Sequence, residues 1–377
     1  MTTWTLRASP GHPAAPGALR VAVKDLIDVA GWPTTAASRA VAATALPAPA
    51  DAPCLSGLRA AEAAGTARVE GKVNLHELAY GISGINHAFG TPVNPLDPGL
   101  VPGGSSSGCA VAVGSGEADV GIGTDTGGSV RIPAACCGVA GLKTTWGRVP
   151  LEGVWPLAPG FDTVGPLARD VAGLAAGMAL LEPGFAVEDR WEPVVVGRLS
   201  LGGDPVVETA VDAALAATGW KVLQLQPPDL DVVTDAALTV LDAQAWTSNA
   251  RLVSDHPDGI GRDVLTRLRR AGDTDAAAVA RAEEVLTAWR AWLERQWGRV
   301  ELIAIPTLLG LPPRLEDARE MVRLRGLSAP VNAAGVPAVA LPIPSGAPLP
   351  GSLQLIGPAD SEERLLSAAA VAEAAVR

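Results

Sequence analysis

Short apolar runs punctuated by glycine, proline and polar turns alternate along this chain with longer stretches of helical period. Leu19 to Val23 is an apolar, β-branched run that predicts a buried strand with Lys24 at its end. From Asp51 the pattern predicts a helix, with Asp51 or a neighbour as N-cap, Pro53 in the first turn and Gly65 as the stop. Thr66 to Glu70 returns to the sheet, Gly71 to Asn74 opens a short helical piece through Ala79, and residues 81–98 read as loop. Cys109 to Ala118 has the small residues of a tightly packed helix, and Asp119 to Gly123 makes a short buried strand. Val139 to Lys143 is the next strand, and Asp170 to Leu181 a helix broken by Pro183-Gly184.

Residues 195–305 alternate two strand-like runs with helical patterns around 205–217, 234–251, 261–271 and 275–297, before the strand ELIAIP. Ala338 to Ile343 and Leu353 to Ile356 are late strands, and Ser361 to Ala375 a final amphipathic helix. Glycine and proline are spread as punctuation rather than gathered in a linker. The expectation is therefore one α/β domain over residues 1–377, with a chemistry-bearing core at 19–182, a substrate-shaping region at 195–300 and a return to the core sheet at 301–377.

Composition narrows the partners. Hydrophobic residues are 48% of the chain and charged residues 18%, enough for a large buried sheet. The net charge of −11 argues against a polyanionic partner, so neither nucleic acid nor an anionic membrane surface is expected. No stretch offers the roughly 20 uninterrupted apolar residues of a membrane span, and a cytoplasmic enzyme acting on small molecules is the default. The apolar content permits a homodimer. Cys54, Cys109, Cys136 and Cys137 lack metal-hook spacing and read as buried thiols. His12, His76, His87 and His256 are scattered, so no metal and no cofactor is expected.

The chemistry concentrates in residues 101–131, VPGGSSSGCAVAVGSGEADVGIGTDTGGSVR. Ser105 follows Gly103-Gly104 and Ser129 follows Gly127-Gly128, where the missing Cβ lets backbone N–H groups approach a reacting carbonyl. Phosphate binding is disfavoured, because neither loop ends in G-K-[ST]. A nucleophile elbow with Ser106 central is formally present, but it needs a later histidine, and His256 sits in the polar turn VSDHPDG. The remaining option uses no histidine: Ser129 attacks, Ser105 relays its proton and Lys24 is the base. Lys24 itself has two readings, a strand-end cation beside Asp25 and Asp28, or a desolvated neutral amine.

Together these residues resemble the amidase signature hydrolases. The likeness rests on AVKDLIDVAGWPTT at 22–35, GKVNLHELAYG at 71–81, NPLDPGLVPGGSSSGCAVAV at 94–113 and GIGTDTGGSVRIPAACCGVAGLKTTWGRVP at 121–150. It is dense over about 19–182 and sparse between 195 and 300. The resemblance implies a large twisted mixed β-sheet covered by helices on both faces. It also implies a Ser-cisSer-Lys triad of Ser129, Ser105 and Lys24, and an oxyanion hole from the N–H groups of Thr126, Gly127, Gly128 and Ser129. Lys72 matches a structural lysine, Asp125 and Arg131 hold the loop, and Ala79, Tyr80 and Gly81 match a segment bordering the acyl site. Only residues 1–18 precede the AVKD strand, and the middle region is short for the family. The activity implied is hydrolysis of a carboxylic amide. The alternative is a glutaminase-type subunit of a tRNA-dependent amidotransferase that needs a partner protein; IPAACCG stands where that branch carries a glutamine.

Overall fold

Burial on both sides turns the apolar runs into strands that no longer alternate. The computed structural model describes residues 3–8, 17–189, 191, 193 and 195–377, so His12 lies outside the described residues. The first half contributes β1 (Trp4–Arg7), β2 (Leu19–Lys24), β3 (Ala67–Val73), β4 (Val120–Asp125), β5 (Ala140–Lys143) and β6 (Thr163–Ala168). The second half adds β7 (Val195–Arg198), β8 (Lys221–Gln224), β9 (Leu302–Pro306), β10 (Ala338–Ile343) and β11 (Gly351–Ile356). They form one 11-stranded mixed sheet in the order β1-β3-β2-β4-β6-β5-β10-β11-β9-β7-β8. Every residue of β4, β5, β6, β9 and β11 is buried, whereas β1 and β8, at the two edges, are largely exposed or half-buried.

Both faces are covered, and the strands divide their side chains between them. Val21 and Val23 of β2 pack into one core with Leu58, Leu174, Met178, Val211 and Leu365, while Ala22 faces Cys109 and Val113 on the other side. In β9, Leu302 and Ala304 join the first core, and Ile303 and Ile305 join Leu241, Leu286 and Trp289. The helices Leu230–Asp255, Arg262–Gly272 and Ala276–Trp297 build that second layer over the strand ends, and its Trp289 and Trp292 rings stack at 5.2 Å. No helix among the described residues is long and apolar enough to cross a membrane.

Two local expectations need adjustment, and two strands, β6 and β1, were not expected at all. Gly71 to Val73 continue β3 rather than opening a helix, because Val23 pairs with Lys72 along β2 and the Lys72 ammonium is buried against Asp25. Only Glu77–Ala79 forms a 3-10 turn. Of the residues offered as N-cap, the neighbour Ala52 rather than Asp51 stands before Pro53, at the start of the 3-10 turn Pro53–Leu55, while the Asp51 carboxylate accepts the Ala30 N–H and pairs with Arg59. β6, which carries Gly165-Pro166, was not expected; its ladder to β5 stops at Gly141↔Leu167, so Pro166 is not asked for an N–H there. β1, at the other extreme, is a short edge strand with little apolar signal of its own.

Candidate active site

Lys24 closes β2, and its side chain is fully buried. Its Nζ lies 2.7 Å from Ser105 Oγ, 2.9 Å from Ser106 Oγ and 2.8 Å from Thr124 Oγ1, and it makes no salt bridge among the described residues. Burial pushes its pKa from 10.5 down to about 7, with Asp125 and Asp162 opposing. Of the two readings open in the sequence, the exposed strand-end cation does not hold: the side chain is buried and pairs with neither Asp25 nor Asp28. Lys72 differs: although also buried, it has Asp25 Oδ1 at 2.9 Å, Thr34 Oγ1 at 2.7 Å and Pro33 O at 3.0 Å. Sequence reasoning passed over Ser106 and Thr124 as partners of the amine, and also passed over Lys143, a buried lysine pushed to about 7 that donates to Thr144 O.

The serine loop is pinned from two sides. The Gly104–Ser105 peptide is cis, and a Cβ on Gly104 would stand 2.8 Å from the Gly84 nitrogen. The His76 N–H donates to Ser105 O at 3.0 Å, and the Ser106 N–H donates to Ser129 O at 3.1 Å, which ties the two serine loops together. Ser106 Oγ is buried and donates to Thr124 O. His256 is exposed at the end of the helix Leu230–Asp255, so the two groups of the elbow reading stand in separate environments.

Beyond β4 the chain turns over a buried ion pair. Asp125 accepts from the Gly128 N–H at 2.8 Å and the Val130 N–H at 3.1 Å, and Arg131 Nη2 lies 2.9 Å from Asp125 Oδ1. Burial alone would raise the Asp125 pKa, but the Arg131 guanidinium and these donors hold it well below the usual carboxylate range. Arg131 also donates to Gln354 Oε1, Ser328 O and Asn332 Oδ1. Asn332 Nδ2 in turn donates to the Asp125 carboxylate and carbonyl. Removing the cation leaves a buried carboxylate unpaired, so Arg131→Met is expected to lower the unfolding free energy by about 3–5 kcal/mol. Urea denaturation checks this, and an unchanged midpoint would contradict it.

One of the four expected oxyanion donors is placed differently. The Gly128 N–H is taken by Asp125, because that buried carboxylate needs donors. Gly128 has φ +113°, and its Cβ would stand 2.6 Å from Ser328 Cβ. The N–H groups of Thr126, Gly127 and Ser129 have no acceptor among the described residues, and these three residues line the adjoining cavity of about 620 Å³. Thr126 is steadied by its hydroxyl, which donates to Asp162 at 2.6 Å. Ala79, Tyr80 and Gly81 line the same cavity. Its far wall, which sequence reasoning did not find, comes from Leu157, Leu241, Asp242, Arg267 and Arg325.

A buried amine beside two glycine-serine loops directs attention to amide chemistry, and comparison with known proteins agrees. The family model described as Amidase matches residues 18–194 and 194–366. The chain belongs to the amidase signature family. It is 31% identical to a glutamyl-tRNA(Gln) amidotransferase subunit of Halobacterium salinarum, over 94% of each chain. It is 34% identical to the 2-amino-5-chloromuconic acid deaminase of Comamonas testosteroni, over 95% of this chain and 81% of that one. A solved amidase structure superposes with a TM-score of 0.84 at 29% identity, covering 97% of this chain and 86% of that one. The mixed sheet with helices on both faces is thus the family fold, and the protein is an enzyme of amide hydrolysis.

Proposed function

We propose that the protein is an amidase acting on its own, hydrolysing a small carboxylic amide through an acyl-enzyme on Ser129, with Ser105 and Lys24 as the proton relay. The observation that carries this reading is the set of partners around Lys24. A neutral amine has two N–H donors and one lone pair, and Nζ has three hydroxyl oxygens within 2.9 Å. Ser106 spends its own proton on Thr124 O, so its Oγ is left to accept from the amine. With the second N–H on Thr124 Oγ1, the lone pair is left for the Ser105 O–H. In the ammonium form Nζ donates to all three oxygens, Ser105 Oγ included, so loss of one proton is what frees the lone pair for the relay.

The chemistry then runs as a closed proton circuit. Ser129 Oγ bonds to the carbonyl carbon, its proton passes to Ser105 Oγ, and the Ser105 proton passes to Lys24 Nζ. Negative charge collects on the former carbonyl oxygen, facing the N–H groups of Thr126, Gly127 and Ser129; each well-aimed donor lowers the barrier by about 3 kcal/mol. The C–N bond breaks as the relay returns a proton to the departing nitrogen, which leaves as ammonia or an amine. Water then attacks the ester by the same route, and the acid and free Ser129 are released.

The purified chain is expected to release ammonia from simple aliphatic amides with no other protein present, which an ammonia assay measures. The second reading is a glutaminase-type component of a larger amidotransferase. It is favoured by the near full-length match to glutamyl-tRNA(Gln) amidotransferase chains, 94% of this chain for the Halobacterium protein. A chain inert alone on amides and on glutamine, and active only after a partner is added, would establish that reading instead.

A further inference from the structure

We infer that the cavity beside Ser129 takes an amide whose acyl chain ends in a carboxylate, and that Arg325 is the residue that holds this carboxylate. The inference rests on the amidase reading and names its substrate class. Three arginines, Arg267, Arg270 and Arg325, line the cavity against two aspartates, Asp235 and Asp242. The Arg267 charge is already met: Nη2 lies 3.2 Å from Asp242 Oδ1, and the guanidinium stacks over Tyr80 at 4.1 Å. Asp242 is likewise occupied, since it also accepts the Tyr80 O–H at 2.6 Å.

Arg325 is different. Its guanidinium, like that of Arg270, has no ion pair or hydrogen bond among the described residues, but Arg270 is exposed whereas Arg325 is half-buried. Burial and the neighbouring Arg267 both push its pKa down from 12.5, with Asp242 and Asp235 opposing. An arginine nevertheless stays protonated, so a desolvated cation without a partner faces the cavity. Its planar fork suits a carboxylate through two parallel hydrogen bonds. The aspartates on the same wall select against a doubly charged phosphate, and Leu157, Leu238 and Leu241 supply apolar surface for the methylenes in between.

The position of Arg325 is fixed relative to the nucleophile loop. Its carbonyl accepts the Ser328 O–H at 2.8 Å, at the start of the helix Ser328–Ala333. Ser328 O and Asn332 Oδ1 both accept from Arg131, whose partner Asp125 anchors the turn carrying Ser129. One hydrogen-bond network therefore links the backbone of the arginine to the turn of the serine, and both residues line a single cavity, which is the preorganisation that a substrate clamp requires.

The test compares the monoamides of succinic, glutaric and adipic acid with butanamide, pentanamide and hexanamide, in which a methyl replaces the carboxylate. The wild type is expected to prefer at least one acid amide by tenfold or more in kcat/KM, carried by KM. Arg325→Gln is expected to collapse that ratio by tenfold or more, and Arg325→Lys to restore part of it, with circular dichroism confirming that both fold. Calorimetric titration with glutarate and adipate against pentanoate and hexanoate gives a readout that needs no turnover, and the same loss of preference is expected. A wild type with no preference in either measurement, or a ratio unmoved by Arg325→Gln, would overturn the assignment. Turnover that survives in Ser129→Ala would instead defeat the amidase reading, and the binding ratio would still decide the role of Arg325.

Discussion

Ser129→Ala is expected to lower kcat/KM for simple amides by on the order of 10⁴ to 10⁶-fold while the protein stays folded. Of the three proposed relay residues, only Ser129 lines the cavity; Ser105 and Lys24 are wholly buried behind it. No other hydroxyl on that turn can take its place, since Thr126 Oγ1 is committed to Asp162. The residual rate reflects the N–H donors and binding alone. Two controls make the result specific. His256→Ala, at an exposed helix end, is expected to leave the rate unchanged. Ser106→Ala removes one hydrogen-bond acceptor from the amine, worth about tenfold. A large loss in His256→Ala together with an active Ser129→Ala would sink the assignment.

Below about pH 7, kcat/KM is expected to fall close to tenfold per pH unit, because burial sets the Lys24 pKa near 7 and only the neutral amine can accept the Ser105 proton. Lys24→Met is expected to lose on the order of 10³-fold or more in activity and to abolish this acidic limb. The stability of the fold carries the same signature. Lys24 and Lys143 both drop from 10.5 to about 7 on burial, so between about pH 7 and 10.5 the unfolded chain holds protons that the folded chain does not. Stability from these groups therefore rises with pH through that window and is absent below it. Urea unfolding at pH 7 and pH 8.5 measures the slope, below the range in which the four buried cysteines, whose pKa burial raises from 9.0, would oppose it. Lys24→Met should shrink it and leave the Lys143 share, whereas a flat acidic limb of activity in the wild type would contradict the neutral base.

The parts of the site that were legible in the sequence are those whose geometry is set by near neighbours. Glycines flank Ser105 and Ser129 directly, and Lys24 ends a strand whose β-branched run is visible over five residues. The parts that were not legible depend on distant contacts. Thr124 and Ser106 meet Lys24 only because β4 lies beside β2 and the serine loop folds over both. Asn332 completes the Asp125 ion pair from more than 200 residues away. The Gly128 N–H is committed by a carboxylate three residues earlier, a choice that composition does not reveal. In the fold, continuous helical periods such as 205–217 and 275–297 were readable. β6 was obscured because Gly165 and Pro166 oppose strand formation locally and tertiary pairing overrides them.

The cavity joins two lengths of chain with different histories available to them. Its reactive side comes from residues 79–129, whereas the wall facing it comes largely from residues 235–325. Substitutions in the second stretch can reshape what fits without displacing Lys24, Ser105 or Ser129. The reacting groups and the surface that selects what reaches them are thereby carried by separate lengths of chain, so the second can vary while the first is kept.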